Sequence, residues 1–400
     1  MSNWKASYDA LSDIMRKGAY VNLTLNKLDD KDRAFVTQVV NGTLENYFEI
    51  DSIIKATSSR APQASIKVLL MQAIYAIRYM NVPAYAVVNE NVNLAEELGK
   101  EALKGYVNAL LKRVCDENYE LPDFDEPRFE EIKYKMPLWL INVVKESYPD
   151  NYDEILSVEK RREVHVRLSP SIRPTTFEQK VGDFEKTRTG YYVTVSRYVK
   201  KLFETGKLTY QSYTSTLAVD AIGPVKNKEV LDVCAAPGGK SVYIAQKGGI
   251  VTACDIHPHR LALVKAYAER MNVNLKCFQN DAMEFRPDWG KSFDVVLVDA
   301  PCSGLGVISK RRDIIFKKSI KEIKELTEIQ TRMLDVAALY VKRGGILLYS
   351  TCTILKMENN DIIENFLKKH KAYSLAYEEQ FLPSSDGTDG FYIAKIIRRA

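Results

Sequence analysis

Apolar positions at helical spacing dominate the first part of the chain. In residues 1 to about 120, apolar side chains recur three and four residues apart in YDALSDIMRKGAYVNLTL, AFVTQVVNGTLENYF, SIKVLLMQAIYAIRYM and VNLAEELG. This spacing places them on one face of a helix, and Pro62 and Pro83 separate consecutive stretches. The pattern predicts a helical domain over residues 1–125.

The pattern becomes mixed between residues 126 and 215. A Pro- and acid-rich stretch, ENYELPDFDEPRFEE, has the composition of a linker. MPLWLINVVKESYP has a helical pattern, whereas REVHVRLSP and TGYYVTVS alternate apolar and polar residues like half-buried strands. Residues 126–215 are therefore predicted to form a linker and a small α+β module.

Strand-like and helical stretches alternate over residues 216–400. The apolar runs are EVLDVCA, GIVTACDI, LKCFQND, FDVVLVDA and GGILLYST. Between them lie the helical stretches SVYIAQK, LALVKAYAERM and IQTRMLDVAALYV. This alternation predicts a parallel sheet with helices on both faces, to which the last run, FYIAKIIRR, adds a possible antiparallel strand.

Composition narrows the class of protein. A chain of 400 residues with 46% hydrophobic and 27% charged residues is typical of a globular protein of two or three domains. The sequence contains no apolar run long enough to span a bilayer and no N-terminal signal pattern, so we expect a cytoplasmic protein. Six cysteines without a CxxC pair and four histidines argue against a disulfide framework and against a metal site. A net charge of +5 only weakly indicates an anionic partner.

Unusual residues follow each predicted parallel strand, at the edge where open α/β sheets bind ligands. The small residues of Cys234–Lys240 allow close backbone approach and lead into a helix N-terminus, without the spacing of a dinucleotide or phosphate loop. Asp255 suits the hydroxyls of a ribose, and Asp281 the amino edge of an adenine. Together they indicate an adenosine-containing cofactor, although Asp281 has an alternative role as a helix cap and Gly238-Gly239 as an ordinary turn.

The six cysteines divide by their surroundings. Cys115, Cys254 and Cys277 lie in apolar patterns and are expected in the core, and Cys234 is ambiguous. Cys302 and Cys352 stand where strands end. Packing, a metal site and a catalytic pair are the possible roles of these two, and no further Cys or His nearby supports the metal site.

Three motifs in order, CAAPGGK, DAPCSG and STCT, resemble those of the Sun-type RNA cytosine-5 methyltransferases, which use S-adenosylmethionine. In the first half, DRAFVTQVVNGTLEN, VPAYAVVNENVNLA and KGYVNALLKRV are similar to the NusB-like domain of the bacterial members that act on 16S ribosomal RNA. The resemblance covers essentially the whole chain. It implies a multi-domain protein with an α-helical NusB-like RNA-binding domain, a small linking module and a Rossmann-like methyltransferase domain.

The resemblance also implies site residues. Asp299 falls between cofactor and target base, and Arg260 matches an arginine of the family. The family holds the cofactor at the positions of Cys234, Ala235, Ala236, Pro237, Gly238, Gly239, Lys240, Asp255, Arg260, Asp281 and Asp299.

Cytosine chemistry explains why two thiols are needed. Carbon 5 is a poor nucleophile until a thiolate adds to carbon 6, and a carboxyl group such as Asp299 at the N3 edge stabilises the developing charge. A base must then remove the carbon 5 proton before the thiol leaves. In the RNA family the Thr-Cys thiol attacks, which makes Cys352 the nucleophile and assigns release to Cys302. In DNA cytosine-5 methyltransferases the Pro-Cys thiol attacks, which would reverse the two roles.

A basic run follows the Pro-Cys motif. Where the family usually has a basic pair and then His-Pro-Asp-Ile, this chain has Lys310-Arg311-Arg312-Asp313-Ile314. Lys310, Arg311 and Arg312 are predicted to contact the RNA backbone.

The resulting hypothesis is S-adenosylmethionine-dependent methylation of carbon 5 of a cytosine in 16S ribosomal RNA. The expected protein is a monomer without metal or membrane contact that acts on small-subunit RNA before its assembly is complete. The same chemistry on transfer RNA is one alternative. A non-catalytic NusB-type RNA-binding or antitermination factor is another, but it would not need two thiols at strand ends.

Overall fold

The computed structural model of the chain describes residues 2–28, 30–157, 161–383 and 388–400. These residues fall into two units. The first unit is Met1–Ser157 with Lys310–Lys318, and the second is Val158–Ser309 with Ser319–Ala400.

The first unit is helical. Its central helix, α5, buries its residues 68–76 on all sides, as expected of a helix surrounded by others. The helices are α1 (Asn3–Lys17), α2 (Val21–Leu25), α3 (Asp30–Glu45), α4 (Tyr47–Thr57), α5 (Ala64–Tyr79), α6 (Ala84–Glu97), α7 (Lys104–Cys115), α8 (Pro127–Tyr134), α9 (Leu138–Ser147) and α10 (Tyr152–Leu156). The predicted helical domain is therefore confirmed.

The helical unit extends to residue 157, beyond the predicted limit at 125. An ionic cluster joins α8 to the helices before it. The Asp51 carboxylate, which is buried, lies 2.8 Å from the Arg128 guanidinium and 2.5 Å from the Lys67 ammonium. Because Asp51 and Arg128 are 77 residues apart, no local pattern announces their contact.

A small antiparallel sheet opens the second unit. Its strands follow the order β2-β3-β1-β4, and two helices pack on it through Phe177 and Val199, which are fully buried. The elements are β1 (Val164–Leu168), α11 (Pro174–Val181), β2 (Phe184–Lys186), β3 (Tyr191–Val193), α12 (Arg197–Glu204) and β4 (Leu208–Tyr210). This is the predicted α+β module without the helices α8–α10.

A seven-stranded sheet forms the rest of the second unit, in the order β10-β11-β9-β8-β5-β6-β7. Strands β5 to β9 are parallel, and β11 runs antiparallel to β9, as predicted. The elements are α13 (Tyr213–Ile222), β5 (Glu229–Asp232), α14 (Gly239–Gln246), β6 (Ile250–Asp255), α15 (Pro258–Arg270), β7 (Lys276–Gln279), β8 (Phe293–Asp299), α16 (Ile320–Ala338), β9 (Val341–Thr351), α17 (Asn360–Lys369), β10 (Tyr373–Phe381) and β11 (Phe391–Arg398).

Helices cover both faces of this sheet. One apolar cluster packs α16 and α17 against the strands, and a second packs α13, α14 and α15 on the other face. The continuous apolar run of β8 follows from burial on both faces. Edge strand β10 was not predicted, because its central residues are exposed and include Glu378 and Glu379.

Candidate active site

The two thiols meet because their strands are neighbours. Strands β8 and β9 pair in parallel with Asp299 opposite Ser350, so the residues that follow each strand leave the sheet at one edge. The Sγ atoms of Cys302 and Cys352 lie 3.2 Å apart. This distance exceeds the ~2.05 Å of a disulfide bond, and both cysteines are free. The structure thus brings the predicted pair together as thiols in contact.

The environment makes Cys352 the more acidic member of the pair. When Cys352 is ionised, the Cys302 thiol can donate a hydrogen bond to its sulfur. This contact lowers the pKa of Cys352, and the Lys240 charge acts in the same direction, against burial and the Asp299 charge. The same interaction, together with burial, raises the pKa of Cys302 well above its usual range. The thiolate, which is the reactive form, is therefore favoured on Cys352.

A buried carboxylate joins the two thiol-bearing loops. Glu358, which is 0% exposed, accepts a 2.8 Å hydrogen bond from the Ser303 amide and a 3.0 Å bond from the Gln330 amide. Ser303 follows Cys302 in the chain, and its hydroxyl also lies 2.8 Å from the hydroxyl of Thr353, next to Cys352. Glu358 thereby fixes both loops through one side chain, a role that sequence reasoning missed.

A glycine permits the close approach of these loops. The Gly306 amide donates to the Cys352 carbonyl over 3.0 Å. A Cβ atom at this position would lie 1.9 Å from the Gly390 carbonyl oxygen and 2.9 Å from that of Cys352. No side chain fits between these backbones, so the turn after DAPCSG requires glycine.

Replacement of Glu358 is expected to destabilise the protein. Glu358→Ala leaves buried donors of Ser303 and Gln330 unpaired, which we expect to lower the free energy of unfolding by about 3 kcal/mol or more. Urea unfolding of the variant measures this change. Glu364→Gln, on the exposed surface of α17, serves as the control and should change stability by less than about 0.5 kcal/mol. Equal changes of stability in the two variants would contradict the role of Glu358 in joining the two thiol-bearing loops.

Lys240 and Asp299 form an ion pair beside the thiols. The Lys240 ammonium lies 2.7 Å from the Asp299 carboxylate, and the Ser350 hydroxyl donates to that carboxylate over 2.8 Å. Lys240 is buried, whereas the Asp299 side chain is 33% exposed. Asp299 is therefore oriented from two sides and still accessible to a ligand. Through Lys240, the loop after β5 is connected to the thiol pair.

The segment Cys234–Lys240 begins as the loop after β5 and ends in the first two residues of α14, so it presents the N-terminus of that helix. Gly238 has a φ of 113°, a conformation that favours glycine, and it precedes the first residue of α14. Ala235 and Ala236 have side chains too small to block the approach of a ligand to the backbone. The loop therefore leaves room for a cofactor close to its backbone, and cofactor binding by Cys234–Lys240 stays a prediction.

Asp232, at the end of β5, holds this loop through hydrogen bonds. Its buried carboxyl accepts a 2.5 Å hydrogen bond from the Ser241 hydroxyl and a 3.3 Å bond from the Cys234 amide. Burial raises the pKa of Asp232 to about 7, in spite of the Ser241 hydrogen bond that lowers it. Sequence reasoning passed over this residue because it lies within the apolar strand pattern.

The raised pKa of Asp232 predicts a pH-dependent stability. The pKa of the Asp232 carboxyl is about 7 in the folded protein and about 3.8 in the unfolded chain. The protonated carboxyl therefore stabilises the fold fully below about pH 3.8, and this stabilisation is lost as the pH rises through about 7. Between them the loss approaches about 1.4 kcal/mol per pH unit. Urea unfolding at pH 5, 6 and 7 should show a shallower pH slope for Asp232→Asn. An exposed control, Asp183→Asn, should keep the wild-type slope; an unchanged slope in both would overturn the prediction.

Acids at the next two strand ends complete the cofactor side. Asp255 is buried and accepts a 3.0 Å hydrogen bond from the His257 amide. Arg260 lies 3.5 Å from Asp255 and donates to the Ala236 carbonyl over 3.3 Å, which ties this strand end to the cofactor loop. Asp281 accepts a 2.9 Å bond from the amide of Met283 within a turn, and none of the described helices begins there, so the alternative role of a helix cap was wrong. Its second oxygen has no described hydrogen bond.

The basic run 310–312 belongs to the helical unit, whereas Cys302 and Cys352 belong to the second unit. The Arg311 guanidinium stacks over the Tyr20 ring at 5.3 Å and lies 3.7 Å from Asp313. Arg312 donates to the Lys135 carbonyl over 3.4 Å, and burial lowers its pKa. Arg311 and Arg312 therefore have partners within the protein, and RNA binding by Lys310, Arg311 and Arg312 stays a prediction.

The remaining cysteines agree only partly with expectation. Cys254 is buried as predicted, and Cys277 is half-buried. The prediction for Cys115 was wrong, since this residue ends α7 and is exposed. Within the described ranges, no three His, Cys, Asp or Glu side chains are grouped so that they could hold a metal ion. None of the helices described is both long and apolar enough to cross a membrane.

The similarity of this chain to known proteins covers both of its units. The chain is 30% identical over 420 residues to the ribosomal RNA small subunit methyltransferase B of Yersinia pestis bv. Antiqua (strain Angola), covering 98% of this chain and 97% of that one. The protein of the same name from Yersinia enterocolitica is 29% identical with the same coverage. A solved structure, that of PH0851, superposes with a TM-score of 0.83 at 22% identity over 98% of each chain, which supports the fold.

Two family models match separate parts of the chain. The model described as 16S rRNA methyltransferase RsmB/F matches residues 219–397, and the NusB family model matches residues 2–116. The fold and the site thus define an S-adenosylmethionine-dependent methyltransferase with a NusB-like helical domain. Together with relatives 30% identical over nearly the whole chain, these matches show that the chain belongs to the ribosomal RNA small subunit methyltransferase B family. The predicted fold class and cofactor are confirmed.

Proposed function

We propose that the protein methylates carbon 5 of a cytosine in 16S ribosomal RNA through a covalent cysteine–cytosine intermediate. The observation that carries this proposal is the contact between the Cys302 and Cys352 sulfurs at 3.2 Å, beside the Lys240–Asp299 ion pair. Two contacting thiols, one with a lowered and one with a raised pKa, are expected where one thiol is the nucleophile and the other transfers a proton.

Each residue of the site takes a separate step. The Cys352 thiolate adds to carbon 6 of the cytosine, and Asp299 interacts with the N3 edge, where charge develops. S-adenosylmethionine, when bound at Cys234–Lys240, Asp255 and Asp281, supplies the methyl group to carbon 5. Cys302 then assists removal of the carbon 5 proton, and the bond between the Cys352 sulfur and carbon 6 breaks, which regenerates the thiolate.

The target cytosine must leave its base stack to reach these thiols. Extrusion of a base costs a few kcal/mol, least where the base is already unpaired. This cost favours RNA that has not yet been folded and covered by ribosomal proteins. We therefore propose that the substrate is small-subunit RNA before assembly is complete, and that a monomer acts on it in the cytoplasm.

Methyl transfer to defined RNAs tests the function. The protein is incubated with tritiated S-adenosylmethionine and an unmodified 16S transcript, assembled small subunits or a transfer RNA transcript, and bisulfite sequencing locates 5-methylcytosine. We expect one modified cytosine in the 16S transcript and less label in assembled subunits. Label confined to transfer RNA would move the substrate to that class. RNA binding without any label would favour a non-catalytic binding factor.

A further inference from the structure

A cavity lined by cations lies in the small sheet module of the second unit, away from the strand ends that carry the thiols. It has a volume of about 450 Å³ and is formed by the start of α11, by α12 and by the turn before β4. Its cations are Arg173, Lys180, Lys201 and Lys207. No aspartate or glutamate is among the described residues that line it. We call this cavity the basic cleft.

The charges of the basic cleft are not neutralised within the described part of the protein. Its four cations are all exposed. The ion pairs of the surrounding module use other cations, namely Arg161, Lys186 and Arg188. Those pairs use Glu163, Glu178, Glu185 and Asp220, and no described carboxylate forms an ion pair with a cation of the cleft.

The module also carries more than the net positive charge of the whole chain. Residues 161–210 contain eleven Lys and Arg against five Asp and Glu, a net charge of +6, whereas all 400 residues together carry +5. The rest of the chain is therefore close to neutral. A concave surface of one charge sign focuses the electrostatic field and attracts counter-charges. The positive field of the protein is concentrated on this module.

We propose that the basic cleft binds the phosphate backbone of the RNA substrate. This inference rests on the proposed function, since it assigns part of that substrate a second contact outside the thiol site. The Thr176 hydroxyl lines the cleft and can donate to a phosphate oxygen, whereas the hydroxyls of Ser171 and Thr205 already donate to Ser169 and to the Lys201 carbonyl. A membrane surface fits less well, because the apolar side chains that line the cleft, Ile172, Tyr198 and Leu202, are half-buried or buried, whereas insertion into a membrane uses exposed apolar side chains.

Salt dependence of RNA binding tests the proposal. The four cations are changed together to glutamine (Arg173→Gln, Lys180→Gln, Lys201→Gln and Lys207→Gln). A matched control changes one arginine and three lysines that are exposed elsewhere in the second unit. The control substitutions are Lys276→Gln, Lys291→Gln, Arg343→Gln and Lys371→Gln, none of which lines the cleft. Both variants lose four charges, so a general effect of net charge cancels.

Fluorescence anisotropy with a labelled, unmodified small-subunit RNA transcript measures the affinity at several salt concentrations. If all four cations contact phosphates, the logarithmic salt slope of the cleft variant should be shallower than wild type by about 3. Between about 50 and 200 mM salt, wild type should then lose roughly 50-fold more affinity than the cleft variant. The control should keep the wild-type slope.

Two results would overturn the proposal. One is a cleft variant that binds RNA with the affinity and slope of the control. The other is a loss of binding to phosphatidylserine vesicles without a loss of binding to RNA. Methyl transfer measured in parallel separates this inference from the proposed function. If the cleft variant loses RNA binding but the wild-type protein methylates no RNA, only the proposed function is refuted. If the wild-type protein methylates RNA but the cleft variant keeps the wild-type salt slope, only the role of the cleft is refuted.

Discussion

Replacement of Cys352 by alanine is expected to abolish methyl transfer and to leave no covalent RNA adduct. Without a thiolate to add to carbon 6, carbon 5 stays a poor nucleophile whatever the position of the cofactor. Loss of a nucleophile typically lowers turnover by a factor on the order of 10⁴ or more. Cys302 cannot take over, because its thiol stays buried in the variant and burial raises its pKa.

Label transfer and gel migration measure this effect together. The variant is incubated with tritiated cofactor and 16S transcript, and the products are separated under denaturing conditions. Cys277→Ala, a change at a half-buried cysteine of the same unit, and Cys115→Ala, at an exposed one, serve as controls and should keep turnover. Retention of normal label transfer by Cys352→Ala would contradict the assignment of the nucleophile. Circular dichroism separates loss of chemistry from loss of fold.

The predictable part of the site is the part encoded locally. Each strand and the polar residue that ends it are adjacent in sequence, so the cofactor loop and the acids Asp255 and Asp281 follow from pattern alone. The convergence of Cys302 and Cys352 also follows once β8 and β9 are taken as parallel neighbours. Alternating strands and helices therefore predict both the sheet and the edge at which chemistry occurs.

The unpredicted part depends on contacts between distant positions. Glu358 contacts Ser303, 55 residues away, and Gln330, 28 residues away, and none of the three lies in a recognisable pattern. The role of Asp232 was missed for a different reason, because a carboxyl group at the end of an apolar run looks like an ordinary terminal residue of a strand. Its role depends on burial, which only the packed sheet determines.

The sequence also does not show which basic residues are accessible to RNA. Lys310-Arg311-Arg312 is the most conspicuous basic run of the second half, yet Arg311 stacks on Tyr20, and Arg312 is half-buried and donates to the Lys135 carbonyl. The cations of the basic cleft are scattered between residues 173 and 207, and only Lys201 has a basic neighbour in the sequence. Because a charge attracts RNA only where it faces solvent without a partner, exposure matters more than clustering along the chain.

Replacement of Cys302 by alanine is expected to leave a covalent protein–RNA adduct that migrates slowly on a denaturing gel. The Cys352 thiolate can still add to carbon 6, but the group that assists release is gone, so the intermediate accumulates. The methylated adduct should form only with cofactor present and should be absent in the double variant that also carries Cys352→Ala. An adduct in Cys352→Ala and none in Cys302→Ala would reverse the two roles.

The rate of adduct formation carries a second, independent signature. In wild type, the hydrogen bond from Cys302 is the largest cause of the lowered pKa of Cys352. Alanine removes this donor, so the pKa of Cys352 should rise and a smaller fraction of the thiol should be ionised near pH 7. Adduct formation by Cys302→Ala should therefore accelerate as pH rises from about 7 to 9, toward the ordinary range of a thiol. The wild-type rate of thiolate addition, measured in single turnover, should level off at lower pH. A pH profile shared by both proteins would show that contact between the sulfurs does not tune the nucleophile, even if release depends on Cys302.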